Sequence, residues 1–169
     1  LSGMEVYVLD SNFFIQAHRV SYPLDIAFSF WNKVKQLADE GRIISIDKVK
    51  NELYDKNDAL EAWCKDNLPE NFFKDTNHVM ATYGQVSAWA ISINGHYLPN
   101  ALNEFLDADE ADAFLIAYAL TDKPDRIIVT HEISNPNQRN KIKIPEPCNA
   151  LAVAFCTTID MFRRLGETF

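Results

Sequence analysis

Asp10, Glu52, Asp112 and Glu132 are the residues of this chain best suited to chemistry. Asp10 follows the apolar run Glu5-Val6-Tyr7-Val8-Leu9, and Glu132 lies just past Arg126-Ile127-Ile128-Val129-Thr130. Glu52 and Asp112 each fall about five positions beyond a residue that reads as a helix cap, Asp47 and Asp107. That is past the first turn, where the helix dipole would explain an acid. Asp112 also opens the most apolar segment of the chain, Ala113-Phe114-Leu115-Ile116-Ala117-Tyr118-Ala119-Leu120. A carboxylate there must be paired or must face a cleft. Asp109 would sit one turn earlier on the same helix face and could add a ligand. Thr130 and Glu132, two apart on an extended chain, would point the same way.

Each acid has a plainer reading alone. Asp10 could cap a helix, Glu52 could lie on a solvated face with Lys48, Lys50 and Lys56, and Thr130 with Glu132 could form a simple turn. Together they weigh more. Gathered carboxylates repel one another and raise each other's pKa unless a cation joins them. Hard oxygen donors without cysteine or histidine partners select Mg²⁺ or Mn²⁺. Such an ion would polarise a phosphoryl oxygen and activate a water. The expected chemistry is phosphodiester hydrolysis, with Asp10, Glu52, Asp112, Glu132 and Thr130 as catalytic groups. The expected metal ligands are Asp10, Asp112, Glu132, Glu52 and Asp109.

The elements that must position these residues follow from hydrophobic period and punctuation. Strands are expected at 5–9, 42–46, 126–130, 141–144 and 153–156. Helices are expected from about Phe13, over 26–38 and closed by Gly41, after Asp47, over 59–64, over 76–93 up to Asn94-Gly95, over 107–120 from an Asp107/Glu110 capping pair, and after a Thr157/Asp160 capping box. Ser11 and Asn12 read as caps for the first of these helices. Alternating strands and helices imply an α/β fold, a mostly parallel sheet covered on both faces, with sites beyond the strands' carboxyl ends.

The chain has 169 residues, 47% of them hydrophobic, which suits one globular domain. Leu1, Ser2 and Gly3 read as a cloning scar before a native Met4, giving a single domain over 4–169. No stretch approaches the ~20 apolar residues of a membrane helix. The three cysteines, Cys64, Cys148 and Cys156, read as buried reduced thiols of a cytoplasmic protein. A net charge of −8 argues against a broad, non-specific nucleic-acid surface but not against a nuclease whose metal reverses the local field. The densest basic run is Gln138-Arg139-Asn140-Lys141-Ile142-Lys143, either an RNA-backbone contact or a lysine-guarded edge strand. His131 reads as a solvated loop residue, with proton transfer as its alternative. Neither a P-loop nor a dinucleotide fingerprint is present.

Val8-Leu9-Asp10-Ser11-Asn12-Phe13-Phe14-Ile15 resembles the opening motif of the PIN-domain nucleases. Asp112-Ala113-Phe114-Leu115-Ile116-Ala117-Tyr118-Ala119 resembles their third motif, Ile128-Val129-Thr130-His131-Glu132 the strand-end motif after it, and Glu52 stands in the place of their helix glutamate. The resemblance implies a three-layer α/β/α PIN-like fold with an acidic pocket for Mg²⁺ or Mn²⁺. It implies an endoribonuclease acting on RNA, often the VapC-type toxin of a type II toxin–antitoxin pair, partnered by an antitoxin protein and frequently a homodimer. The chain departs from the family pattern in carrying Glu132 where aspartate is usual and in a longer segment over 94–107, as an atypical branch would. The alternative expectation is a catalytically degenerate PIN-like module that binds protein or RNA. A phosphatase using Asp10 as nucleophile is disfavoured because Asn12 stands where a second aspartate is needed.

Overall fold

Strands β1 (Val6–Leu9), β2 (Ile43–Ile46), β3 (Phe73–Lys74), β4 (Arg126–Val129) and β5 (Phe155–Cys156) pair in the order β3-β2-β1-β4-β5, every neighbour parallel. This arrangement comes from a computed structural model that describes residues 4–93 and 95–169. The expectations for Leu1 to Gly3 and for Asn94 lie outside the described residues. Helices α1 (Ser11–Gln16), α2 (Phe28–Asp39), α3 (Asp47–Leu53), α4 (Ala59–Asn67), α5 (Met80–Ser92), α6 (Pro99–Phe105), α7 (Ala111–Thr121), α8 (Pro145–Leu151) and α9 (Thr158–Leu165) surround the sheet, and a π-helical turn, Ala17–Ser21, continues α1.

The strands are buried along consecutive positions: Tyr7, Val8 and Leu9 in β1, Ile43, Ile44, Ser45 and Ile46 in β2, Ile127, Ile128 and Val129 in β4. Successive strand side chains face opposite sides, so both faces of the sheet are covered. That is the three-layer α/β/α arrangement expected. The chain runs outward from β1 to β2 and β3, then returns to the other side of β1 for β4 and β5. The strand order therefore reverses between β1 and β4, and the crevice beyond their carboxyl ends is where such sheets place ligands. Asp10 follows β1 and Thr130 follows β4.

Helix α7 is buried at Ala111 and from Ala113 through Ala119. An all-round apolar helix cannot face water, and this one packs between α5 and β4. Among the described residues no helix is long and apolar enough to cross a membrane. Cys64, Cys148 and Cys156 are free and buried.

Gly41 closes α2 as expected. Its φ is +72°, its N–H bonds Ala38 O at 3.0 Å, and the next N–H, of Arg42, bonds Leu37 O at 3.0 Å. This paired closure needs a left-handed residue. A Cβ on Gly41 would meet nothing within 4 Å, so Gly41→Ala isolates the backbone cost. It is expected to lower unfolding free energy by about 1 kcal/mol in a urea titration. An unchanged midpoint would show that the turn makes no such demand.

Several local expectations need correction. No strand forms over 141–144: Ile142 and Ile144 are buried within a loop, and Pro145 then starts α8. The fifth strand is instead β3, too short to read. It pairs with β2, and just past it the Asp47 carboxylate accepts the Thr76 hydroxyl at 2.7 Å and the Thr76 N–H at 3.2 Å. Asp47 is the first residue of α3 rather than its cap. Asp107 does not cap α7; its carboxylate accepts the Asp109 N–H at 2.8 Å in a local turn, and Glu110 holds the cap position without a side-chain bond. The long 94–107 segment contains α6, started by Pro99. Helix α5 begins at Met80, not at 76. The Thr157 cap of α9 is present, accepting the Asp160 N–H at 3.2 Å.

Candidate functional site

Asp10 is 1% exposed, directly beyond β1. Its N–H continues the ladder to Val129 O at 3.1 Å, which fixes the carboxylate relative to β4. It occupies the cap position of α1 yet makes no capping bond. Its Oδ2 accepts the Thr130 hydroxyl at 3.1 Å instead. Thr130 Oγ1 in turn accepts the Glu132 N–H at 3.1 Å. Thr130, also 1% exposed, therefore spends its proton on Asp10 and shapes the turn that carries Glu132. It is a positioning group for the two acids.

Ser11, read from sequence as a helix cap, is a buried bridge. Its hydroxyl donates to Glu52 Oε2 at 2.9 Å and lies 3.4 Å from Asp10 Oδ1. Glu52 Oε1 accepts the Ala111 N–H at 3.1 Å, one of the free amides opening α7. One carboxylate thus ties α1, α3 and the start of α7 together beside Asp112. Because α7 starts at Ala111, Asp112 lies in its first turn, where the dipole favours a negative charge.

The dipole does not offset the crowding. Burial, then the Glu132 charge, pushes Asp10 up to about 7, against the Thr130 hydrogen bond that pulls it down. Asp112 is held well above the usual carboxylate range by burial and then by Asp10, Glu132 and Glu52. Glu132 is raised by burial, with Lys141, the Ile144 N–H and Lys143 opposing. The structure therefore brings together Asp10, Glu52, Asp112, Thr130 and Glu132 from positions up to 122 apart in sequence.

Asp109 does not join them. It is exposed in the turn ahead of α7, not on the helix, and its charge is not among those raising Asp10 or Asp112. Lys141 is the residue that sequence reasoning underweighted. With Phe105, Glu110 and Asp112 it lines a water-sized space of about 10 Å³, and its charge partly offsets both Asp112 and Glu132. The same space shows α6 as one wall of the site. Arg139, from the same basic run, is structural: its guanidinium donates to His96 O at 2.7 Å and Gly95 O at 2.8 Å. His131 Nε2 lies 3.1 Å from Thr158 Oγ1, and burial pushes its pKa down.

Among the described residues no group of three or more His, Cys, Asp or Glu side chains stands close enough to hold a metal ion as placed. Mg²⁺, however, usually keeps several waters and needs only one or two carboxylates. Asp10, Asp112 and Glu132 are hard oxygen donors whose mutual repulsion a cation would relieve. The donor set fits Mg²⁺ or Mn²⁺ on its chemistry.

No curated protein and no solved structure matches the chain. The profile described as Domain of unknown function (DUF4411) matches residues 7–169, a span that includes every member of the carboxylate cluster, and the chain belongs to that family.

Proposed function

We propose that the protein is a divalent-cation-dependent endoribonuclease of PIN-like type, acting as the toxin of a type II toxin–antitoxin pair. One observation carries the nuclease reading. Buried Asp10 and half-buried Asp112 are held against each other's charge, with Glu132 and Glu52, at the point where the strand order reverses. A fold maintains such repulsion where the charges serve a function. The toxin role, the antitoxin partner and the homodimer rest on the resemblance of the motifs around Asp10, Asp112 and Glu132; a cytoplasmic location rests on the free, buried Cys64, Cys148 and Cys156.

Asp10, Asp112 and Glu132 would hold Mg²⁺ or Mn²⁺, with Glu52 at their edge. When bound, the ion supplies charge stabilisation at a phosphoryl oxygen and lowers the pKa of a water. The chain's own groups do the positioning. Thr130 and Ser11 fix the rotamers of Asp10 and Glu52 through their hydroxyl protons. Phe105 narrows the access of water to Asp112, and Lys141 sets a positive charge beside it for an anionic substrate.

The test is cleavage of mixed RNA and single-stranded DNA in EDTA, Mg²⁺ or Mn²⁺, run beside Asp112→Ala. Metal-dependent cutting of RNA is expected, falling at least 100-fold in the variant, the scale on which transition-state electrostatics act. Undiminished cutting by Asp112→Ala would reject the site. A catalytically degenerate binding module is the second reading. The absence, among the described residues, of a three-ligand cluster at binding distance favours it.

A further inference from the structure

A second cavity opens beside the carboxylates, on the far side of Glu52. It has a volume of about 250 Å³ and lies between the π-helical turn and the 55–58 loop. Leu53 and Leu60 give it an apolar base. Its polar groups are His18 and Arg19 from the π turn, Lys56 and Asp58 from the loop, and Glu52. Glu52 belongs to both sites, since its carboxylate also holds Ser11 and the Ala111 N–H. The cavity is therefore one side chain away from Asp10.

Both rims are unusual. A π turn widens the helix, is rare, and occurs often at functional sites. Here it follows directly on the helix that begins beside Asp10. On the other rim, Asp55 (φ 66°) and Asn57 (φ 53°) are left-handed and flank Lys56. Glu61 Oε1 fixes that loop by accepting the Lys56 N–H at 2.8 Å and the Asn57 N–H at 3.0 Å. The backbone of Lys56 is thus pinned while its side chain stays exposed.

The plain reading of Arg19 and Lys56 is a solvated face. Against it, two carboxylates line the same cavity, yet neither cation pairs with them. Asp58 is engaged with the Glu61 N–H, Glu52 with the neighbouring site, and among the described residues Arg19 and Lys56 form no salt bridge. His18 also lines the cavity, and its Nδ1 is closed to solvent without a hydrogen-bond partner. The wall offers two unpaired positive charges and an imidazole beside the carboxylate cluster.

We propose that this cavity is the subsite for the nucleotide adjacent to the scissile phosphate in single-stranded RNA. Arg19 and Lys56 take the neighbouring phosphate, and His18 bonds the ribose. The inference rests on the nuclease reading for its choice of ligand. The volume lies just below the ~300 Å³ at which sites for drug-sized ligands begin, which suits one nucleotide and excludes a duplex. In a chain of net charge −8, a polyanion reaches the carboxylates only where local cations neutralise its phosphates. The 2′-hydroxyl is the group by which a protein tells RNA from DNA, and the His18 ring stands on the cavity wall to receive it.

The experiment measures binding of a fluorescein-labelled 12-nucleotide single-stranded RNA in an Asp112→Asn background, and cleavage of the same RNA in an otherwise unaltered chain. Arg19→Glu with Lys56→Glu is compared with Lys123→Glu, an exposed lysine at the opposite end of the sheet. The double variant is expected to weaken binding at least tenfold at 50 mM salt and to reduce the salt slope by one to two contacts. In cleavage, KM should rise while kcat stays within threefold. Lys123→Glu should leave affinity within twofold. Unchanged affinity and slope in the double variant, with metal-dependent cleavage intact, would overturn the subsite and spare the nuclease. RNA bound through Arg19 and Lys56 but never cut would keep the subsite and remove the nuclease. RNA neither bound nor cut would remove both.

Discussion

Asp10→Asn is expected to abolish metal-dependent cleavage and, in the same molecule, to make the metal-free protein more stable at pH 8. Both effects follow from one buried charge. Asp10 is 1% exposed and its folded pKa rises from 3.8 to about 7 through burial and then Glu132. For an acid with a raised folded pKa, ionisation opposes folding. That cost is absent below the ordinary pKa, grows as pH rises between about 4 and 7, and is complete above it. At ~1.4 kcal/mol per pKa unit a rise from 3.8 to about 7 makes the full cost about 4 kcal/mol. Asparagine removes the charge, keeps an oxygen for the Thr130 hydroxyl at the position Oδ2 now holds, and changes volume little. Urea unfolding in EDTA should therefore show the variant more stable than its parent by about 4 kcal/mol at pH 8, with a gap under half that at pH 5. A pH-independent difference would mean that Asp10 is not strained by its neighbours. Cleavage should fall by at least ~1,000-fold, since in the proposed nuclease the removed charge serves the reacting centre directly.

The parts of this site legible in the sequence are those set by short-range pattern. The β1 and β4 segments are unbroken apolar runs ending in polar residues, so Asp10, Thr130 and Glu132 could be placed at strand ends. Helix α7 is apolar on every face, so Asp112 had to face a cleft or a partner. What sequence hid is set by distant pairing. Strand β3 has two residues, pairs with β2 at Ser45 and Ile46, and is followed by Thr76, which Asp47 bonds from 29 positions away. The 141–144 alternation buries Ile142 and Ile144 without any ladder, because α8 begins at once. The Asp107 carboxylate closes a turn at its own position, which moved the start of α7 and set Asp109 outside it. Ser11 has the composition of a cap, and only the approach of Glu52 across 41 positions makes it a bridge. The π turn at Ala17–Ser21 carries no residue signature at all.

These misreadings share a physical cause. Aspartate and serine bond whichever donor or acceptor is nearest, so local sequence identifies them as ends of elements without saying which partner they take. The carboxylate cluster was recoverable because repulsion among charges is unfavourable unless used, and four acids at element ends need a common explanation. Lys141 escaped because exposed lysine is ordinary, and its role depends on a loop that packs over α6 and Asp112.

On the nuclease reading the same repulsion would make a divalent cation a stabilising ligand, which separates the nuclease from the binding module without any substrate. An ion that binds only the folded chain stabilises it by ~2.7 kcal/mol at a concentration 100 times its Kd. For a chain of 169 residues that is a rise of about 5–10 °C in Tm. Mn²⁺ or Mg²⁺ at millimolar concentration should produce such a rise at pH 8. Protons compete for Asp10 below about 7, so the stabilisation should shrink by about 2 kcal/mol at pH 5.5. Asp10→Asn should start from the higher metal-free Tm and respond little to either ion. The two responses must move together, because the charge that destabilises the metal-free fold is the charge that attracts the ion. A parent protein whose Tm ignores Mn²⁺ at pH 8 would carry its carboxylates for another purpose, and the degenerate module would then be the better account.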